Sequence, residues 1–164
     1  CKTLADVIIE NQHNFTICDY EFSGYAAVID SLANYYKHSM EMLNPAIWKE
    51  IFMKNRPILT KAKDEPPTKY GKNAVVKNSL IANGCKIEGY VENSIIFRGV
   101  HIGKDTVIKN SVVMQKTNIG ENCVLENMIT DKDVKVLDYS KLSGSHLEPT
   151  ILRKRTIQGA MMNS

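Results

Sequence analysis

Val91-Glu92-Asn93-Ser94-Ile95-Ile96 decides the fold, because the chain repeats it in variant form along half its length. The same phrase reads VKNSLI from Val76, IKNSVV from Ile108 and LENMIT from Leu125, with a weaker LSGSHL from Leu142. The copies begin 15, 17, 17 and 17 residues apart, and inside each full copy the aliphatic positions subdivide alike. Val91, Ile96, Ile102 and Ile108 are separated by 5, 6 and 6 residues, and so are Ile108, Val113, Ile119 and Leu125. An amphipathic helix needs a period of about 3.6 and a hairpin sheet a period of about 2 with turns. A hexad taken three times per coil instead describes a triangular prism of short parallel strands.

Stacked coils place equivalent residues ~4.8 Å apart, so columns follow from register alone. Val76, Val91, Ile108, Leu125 and Leu142 form one; Ile81, Ile96, Val113 and Thr130 a second; Ile87, Ile102, Ile119 and Val136 a third. A further inward slot is expected four residues after each lead: Leu80, Ile95, Val112 and Ile129, then Cys85, Val100, Thr117 and Val134, then Thr106, Cys123 and Ser140. That gives Cys85 and Cys123 a packing role, as small buried hydrophobes and not reactive thiols. Asn78, Asn93, Asn110 and Asn127 share a corner, where asparagine tolerates left-handed backbone. Gly103 and Gly120 are expected at another corner for the same backbone reason.

Outward from the repeats the chain is less regular. Residues 1–45 read as α/β material: a strand over Phe15–Phe22, then a helix whose one face carries Tyr25, Val28, Ile29, Leu32, Tyr36, Met40 and Leu43, stopped by Asn44-Pro45. Residues 46–73 read as a short amphipathic helix (Ile47, Trp48, Ile51, Phe52) and the linker NRPILTKAKDEPPTKYG, with three prolines. The prism is expected over 74–150, and a closing strand and tail over 151–164.

Composition excludes several function classes. With 21 basic and 18 acidic residues among 164, the net charge is +3 and the cations are scattered, which offers no support for nucleic-acid or membrane-surface binding. No run approaches the ~20 apolar residues of a membrane span, and no signal peptide opens the chain, so a cytoplasmic protein is expected. Four cysteines, Cys1, Cys18, Cys85 and Cys123, form no metal-ligand spacing. The chain opens at Cys1 without an initiator methionine, as a piece of something longer would.

Hexads of this form resemble the left-handed parallel β-helix of hexapeptide-repeat proteins, and the handedness rests on that resemblance alone. Many such proteins are acyltransferases; others carry the helix as the C-terminal domain of sugar nucleotidyltransferases. GYAAVIDSLANYYKHSMEMLNP, PILTKAKDEPPTKYG, VVKNSLIANGCKIEG and VENSIIFRGVHIG together resemble the C-terminal part of glucose-1-phosphate adenylyltransferase (ADP-glucose pyrophosphorylase), over nearly all of residues 15–155. The resemblance implies a truncated nucleotidyltransferase domain ahead of the β-helix. It also implies an enzyme family that makes ADP-glucose and pyrophosphate from ATP and glucose 1-phosphate with Mg²⁺ for glycogen or starch.

Catalytic members carry a segment of the type GYWRDVGT whose aspartate serves the metal. Aligning Gly24 and Tyr25 with its start puts Ala26 and Ala27 in place of Trp and Arg, Val28 in place of the aspartate, and Ile29, Asp30 and Ser31 in place of Val, Gly and Thr. Valine offers no oxygen to a hard cation, and Asp30 is expected to point elsewhere on the helix. This departure is similar to the non-catalytic, GlgD-type regulatory subunit, which pairs with a catalytic subunit. The resemblance therefore implies no catalytic, cofactor-binding or metal residue in this chain, an oligomer with the catalytic subunit, and no activity of its own.

Two other readings remain open. A hexapeptide acyltransferase would use a histidine as general base. Of the candidates, His101 should face outward, His146 should fall in the inward column behind Ile129, and His13 and His38 lie outside the prism. A histidine-rich metal site between coils would need more than the two histidines of the repeats. A stand-alone interaction module is the other reading, since flat faces and an open last rung suit packing against a neighbour. Arg153, Lys154 and Arg155 are the candidate contact for an anionic effector, with Lys69 and Arg98 as weaker candidates.

Overall fold

A computed structural model describes residues 3–14, 16, 18, 20–53, 58 and 63–159. Three parallel sheets wrap a narrow core. Sheet 1 stacks β1 (Lys69–Tyr70), β4 (Lys86–Ile87), β7 (His101–Ile102), β10 (Asn118–Ile119), β13 (Lys135–Val136) and β16 (Ile157–Gln158). Sheet 2 stacks β2 (Val75–Lys77), β5 (Tyr90–Glu92), β8 (Val107–Lys109), β11 (Val124–Glu126) and β14 (Lys141–Ser143). Sheet 3 stacks β3 (Leu80–Ile81), β6 (Ile95–Ile96), β9 (Val112–Val113), β12 (Met128–Thr130) and β15 (Thr150–Leu152). The molecule is a mainly β, parallel β-solenoid, as the hexads require.

The columns hold in register. Val76 pairs with Val91, Val91 with Ile108, Ile108 with Leu125 and Leu125 with Leu142. Ile81, Ile96, Val113 and Thr130 align and continue to Leu152; Ile87, Ile102, Ile119 and Val136 align and continue to Gln158. Val91, Ile96, Ile102, Ile108, Ile119 and Leu125 are almost wholly buried in one core, each contributing roughly 1.5–3 kcal/mol of apolar burial. Cys85 and Cys123 lie in that core, and burial pushes the Cys123 thiol above its usual pKa, away from thiolate chemistry.

One column differs from the expectation. Leu80, Ile95, Val112 and Ile129 face outward, because adjacent strand residues point to opposite sides of a sheet and Ile81, Ile96, Val113 and Thr130 already face in. The first step of each coil has five residues, so the inward partner lies three after the lead: Ser79, Ser94, Ser111 and Met128. Those serines build a ladder. The Ser94 amide donates to Ser79 Oγ, the Ser111 amide to Ser94 Oγ and the Met128 amide to Ser111 Oγ, each at 3.1 Å. Each hydroxyl in turn donates to a carbonyl of its own coil at 2.7 Å: Lys77, Glu92 and Lys109. Buried polar groups are thereby satisfied.

The corners divide by cause. Asn78, Asn93, Asn110 and Asn127 have φ of 41–53°, as expected of that column. Gly103 and Gly120, however, do not lie at positive φ; Asp105, Asn122 and Tyr139 hold the left-handed positions of that corner. Close approach is what demands glycine there. A Cβ on Gly103 would sit 2.4 Å from the Gly120 carbonyl oxygen, and one on Gly120 would sit 2.1 Å from Asp138 Oδ1.

The last coil also departs from a plain repeat. After β14, residues Ser145–Pro149 form an extra loop and the pattern resumes at Thr150, which pairs with Met128. His146 therefore lies exposed in that loop, its ring edge-on to Tyr36 at 5.9 Å, and Ile151 takes the place opposite Ile129.

Ahead of the solenoid stand α1 (Leu4–Asn11), α2 (Leu32–Glu41) and α3 (Pro45–Met53). The expected strand falls partly on residues outside those described (Phe15, Ile17, Asp19), and the described positions from Thr16 to Phe22 form no strand. The expected helix starts at Leu32, not Tyr25. Ser31 is extended (φ −144°, ψ 162°) and its Oγ accepts the Asn34 amide at 3.1 Å, capping the helix there. Asp30 thus precedes the helix and accepts from Asn34 Nδ2 at 2.6 Å. A threonine–aspartate capping box between Thr3 and Asp6 starts α1, an element its sequence did not announce. Helix α2 lies on sheet 3: Tyr36 is 2% exposed against Val112 and Ile129, and its hydroxyl donates to the Asn110 carbonyl at 2.5 Å.

Candidate functional site

Sequence reasoning singled out Arg153, Lys154 and Arg155, and all three are exposed on the turn between β15 and β16. The turn is the top of a corner. The Arg155 amide donates to the Lys132 carbonyl, the Asp133 amide to Gln115, the Lys116 amide to Arg98 and the Gly99 amide to Asn83. The corner residues therefore stack as Asn83, Arg98, Gln115, Lys132 and Lys154, beside Gly84, Gly99, Lys116, Asp133 and Arg155. Arg98, Lys116 and Lys132 extend the basic triplet into a cationic edge, with Asp133 as the one carboxylate in the two columns. Counting by 17 links Arg98, Gln115 and Lys132, but the five extra residues after β14 hide the step to Lys154; Lys69, on β1, lies apart from this edge.

The other candidates do not converge. His101 faces outward, as expected, into a groove of about 1090 Å³ shared by sheets 1 and 2. Its Nε2 is 3.5 Å from Glu88 Oε2, an oxygen that Lys86 Nζ already holds at 2.8 Å. The Lys86 ammonium, more than the histidine, draws the half-buried Glu88 carboxyl below its usual pKa. No dedicated base–orienter pair results. Among the described residues, no three histidine, cysteine, aspartate or glutamate side chains gather as a metal site, and no helix is long and apolar enough to cross a membrane.

Val28, at the position where the resemblance puts a metal-serving aspartate, is 71% exposed on the irregular segment before α2. Its neighbourhood is anchored nearby. Tyr25 OH donates to Glu41 Oε2 at 2.8 Å, His38 Nδ1 meets the same oxygen at 2.8 Å, and the Tyr25 amide donates to Glu50 Oε1 at 2.8 Å. Burial and then the Glu41 carboxylate push the Tyr25 phenol up to about 12. The Tyr25 hydroxyl, followed by His38, draws Glu41 down. Sequence reasoning did not anticipate this knot, since its members are far apart in the chain and no motif joins them.

A family model described as GlmU-like, C-terminal hexapeptide matches residues 66–155, which is most of the solenoid. The chain belongs to that hexapeptide family. Among relatives, this hexapeptide chain is 58% identical over 163 residues to the glycogen biosynthesis protein GlgD of Bacillus subtilis (strain 168), covering 99% of itself and 48% of that protein. It is 52% identical to GlgD of Geobacillus stearothermophilus, covering 90% of itself and 50% of the relative. A glucose-1-phosphate adenylyltransferase of Mycoplasma mobile is 38% identical over 90 residues, 55% of this chain and 24% of that enzyme. The hexapeptide chain spans about half the length of the GlgD proteins it matches.

Proposed function

We propose that the chain is the assembly and regulatory half of a non-catalytic subunit in glycogen biosynthesis. The subunit partners a cytoplasmic glucose-1-phosphate adenylyltransferase, which converts ATP and glucose 1-phosphate to ADP-glucose and pyrophosphate. One observation carries the reading: a chain similar to GlgD over 99% of its length has Val28 where the catalytic pattern needs a carboxylate. Valine has no oxygen ligand, so the residues present do not fit Mg²⁺ at that position, and no transfer step runs through them. The solenoid is the part suited to assembly, with flat faces and a stack of coils that bury their own core. The cationic edge ending at Arg153, Lys154 and Arg155 is the contact for a phosphorylated effector.

The test is co-expression of the parent protein, with and without residues 74–150, beside an affinity-tagged catalytic subunit. Loss of co-purification on deletion is expected, and a retained complex overturns the assembly role. Reversing Arg153, Lys154 and Arg155 to glutamate in the intact pair should abolish the response of ADP-glucose synthesis to phosphorylated metabolites while leaving the complex intact; an unchanged response removes the effector contact.

A further inference from the structure

Sheet 2 carries a pattern that the preceding reading leaves unused. Its inward residues are Val76, Val91, Ile108, Leu125 and Leu142, so the residues on either side of each face outward. On one side the column runs Lys77, Glu92, Lys109, Glu126, alternating in sign rung by rung. On the other it runs Val75, Tyr90, Val107 and Val124, uncharged over these four rungs and still open to solvent, with Val75 40% and Val124 38% exposed; at the fifth rung Lys141 ends this column and Ser143 the other.

Sheets 1 and 3 differ from it. The outward row of sheet 1 is Lys69, Lys86, His101, Asn118 and Lys135, polar as a solvent face should be, and only its last rung, Ile157, is apolar. That of sheet 3 is Leu80, Ile95, Val112, Ile129 and Ile151, part of it roofed by α2, with Ile151 open at the end. Alternating charges alone would serve a single chain, since Lys109 Nζ is 3.7 Å from Glu92 Oε2 and Lys77 Nζ lies 5.4 Å from the Tyr90 ring centre. The open apolar row beside them is what a single chain does not require.

We propose that sheet 2 is a docking face for a second copy of this chain, the two solenoids lying face to face and antiparallel. The two-fold axis lies in the interface, parallel to the strands, between β5 and β8. It reverses the order of the rungs and keeps each column opposite itself. Lys77 then meets Glu126 of the other copy and Glu92 meets Lys109, so every charge of the ladder finds its opposite. Val75 meets Val124 and Tyr90 meets Val107, closing the apolar row.

Other placements fail on the same residues. An axis through β8 would set Lys109 against Lys109 and Glu92 against Glu126. An axis along the solenoid would lay the valines on the charged column. An isologous contact needs a self-complementary patch, and this arrangement supplies one. The patch is small beside the ~800 Å² per partner of a standard interface, so pairing is weak, concentration-dependent and weakened by salt. The inference does not depend on the proposed function: it needs only this chain.

Sedimentation equilibrium of the 164-residue chain over rising concentration, with far-UV circular dichroism as the folding control, tests it. Glu126→Lys sets lysine against Lys77 twice per dimer and should raise the dissociation constant by about tenfold or more. Adding Lys77→Glu to the same chain restores opposite charges at both places, and should return association to the wild-type level. Mixing the two single variants should likewise restore dimers, because each supplies the sign the other lacks. A wild type that stays monomeric to about 1 mM, beyond the range of weak specific contacts, overturns the proposal. So does a Glu126→Lys chain that associates unchanged, or a double variant that does not recover.

Discussion

The segment ahead of the solenoid has the more apolar sequence of the two, yet the solenoid buries its apolar residues far better, and the regions hold together in opposite ways. In the solenoid the aliphatic leads are buried coil upon coil, and each coil needs only its neighbours. In the described part of residues 3–53, Tyr36 alone is fully buried, while Leu4 at 77% exposure, Ile9, Tyr20, Phe22, Val28 and Ile29 face solvent. Periodicity makes the difference. A repeat that returns its apolar residues to one axis makes its own interior, whereas an amphipathic helix has an interior only when something lies beneath it. Here sheet 3 lies beneath α2, and α1 buries no residue.

The contrast is broken most forcefully in the core. Leu125→Ala should cost about 2–5 kcal/mol and lower the solenoid's melting temperature by many degrees, whereas Leu4→Ala should change stability by less than about 0.5 kcal/mol. Thermal denaturation followed by circular dichroism compares the two, and equal effects would erase the distinction between the regions.

Next comes the interior polar ladder. Ser111→Ala strips the acceptor from the buried Met128 amide, at a cost of about 1–3 kcal/mol in urea unfolding. Gly120→Ala belongs to the same range, because its new Cβ would meet the Asp138 backbone nitrogen at 2.8 Å as well as the carboxylate oxygen. Gly99→Ala should cost only about 1 kcal/mol, since φ of +67° is its obstacle and the nearest atom lies 3.7 Å away.

Smaller effects sharpen the attachment between the regions. Tyr36→Phe removes the hydroxyl that reaches the Asn110 carbonyl, and should loosen α2 by about 1 kcal/mol. Hydrogen exchange should quicken in α2 amides and stay unchanged along β9; an equal rise in both would make helix and solenoid one cooperative unit. The least effect concerns acid. Glu41 has its pKa lowered in the folded chain, chiefly by the Tyr25 hydroxyl, so its contribution is present above the ordinary value of 4.5 and fades as pH falls through the lowered one. Protection of the amides from Gly24 to Ser31, measured against the intrinsic exchange rate at each pH, should therefore fall below pH 4.5. Tyr25→Phe should flatten that dependence.

The sequence made the prism legible because each lead position answers to one axis, and register then fixes every neighbour. It misled where the step shortened from six residues to five: Leu80 and its column were counted inward although Ser79 and its column are. The clue was present. Sheet 3 has aliphatic residues at both adjacent positions, as in Ile95-Ile96 and Val112-Val113, so one of each pair must face away from the core, where α2 covers part of that second row. The start of α2 was missed because Tyr25, Val28 and Ile29 fit a helical stripe, while Ser31 marks the cap. Arg153, Lys154 and Arg155 were found as a run, but the edge they complete runs across coils and is invisible to a local reading.

The loop at Ser145–Pro149 bears on how such a chain can be altered. Five extra residues leave the prism, and at Thr150 the strand returns to its place above Met128 as if nothing had been added. Register is therefore kept by the coil below, not by the count of residues between coils. A corner of the last coil is a natural graft point, able to carry a foreign peptide or a reporter without retuning any other rung.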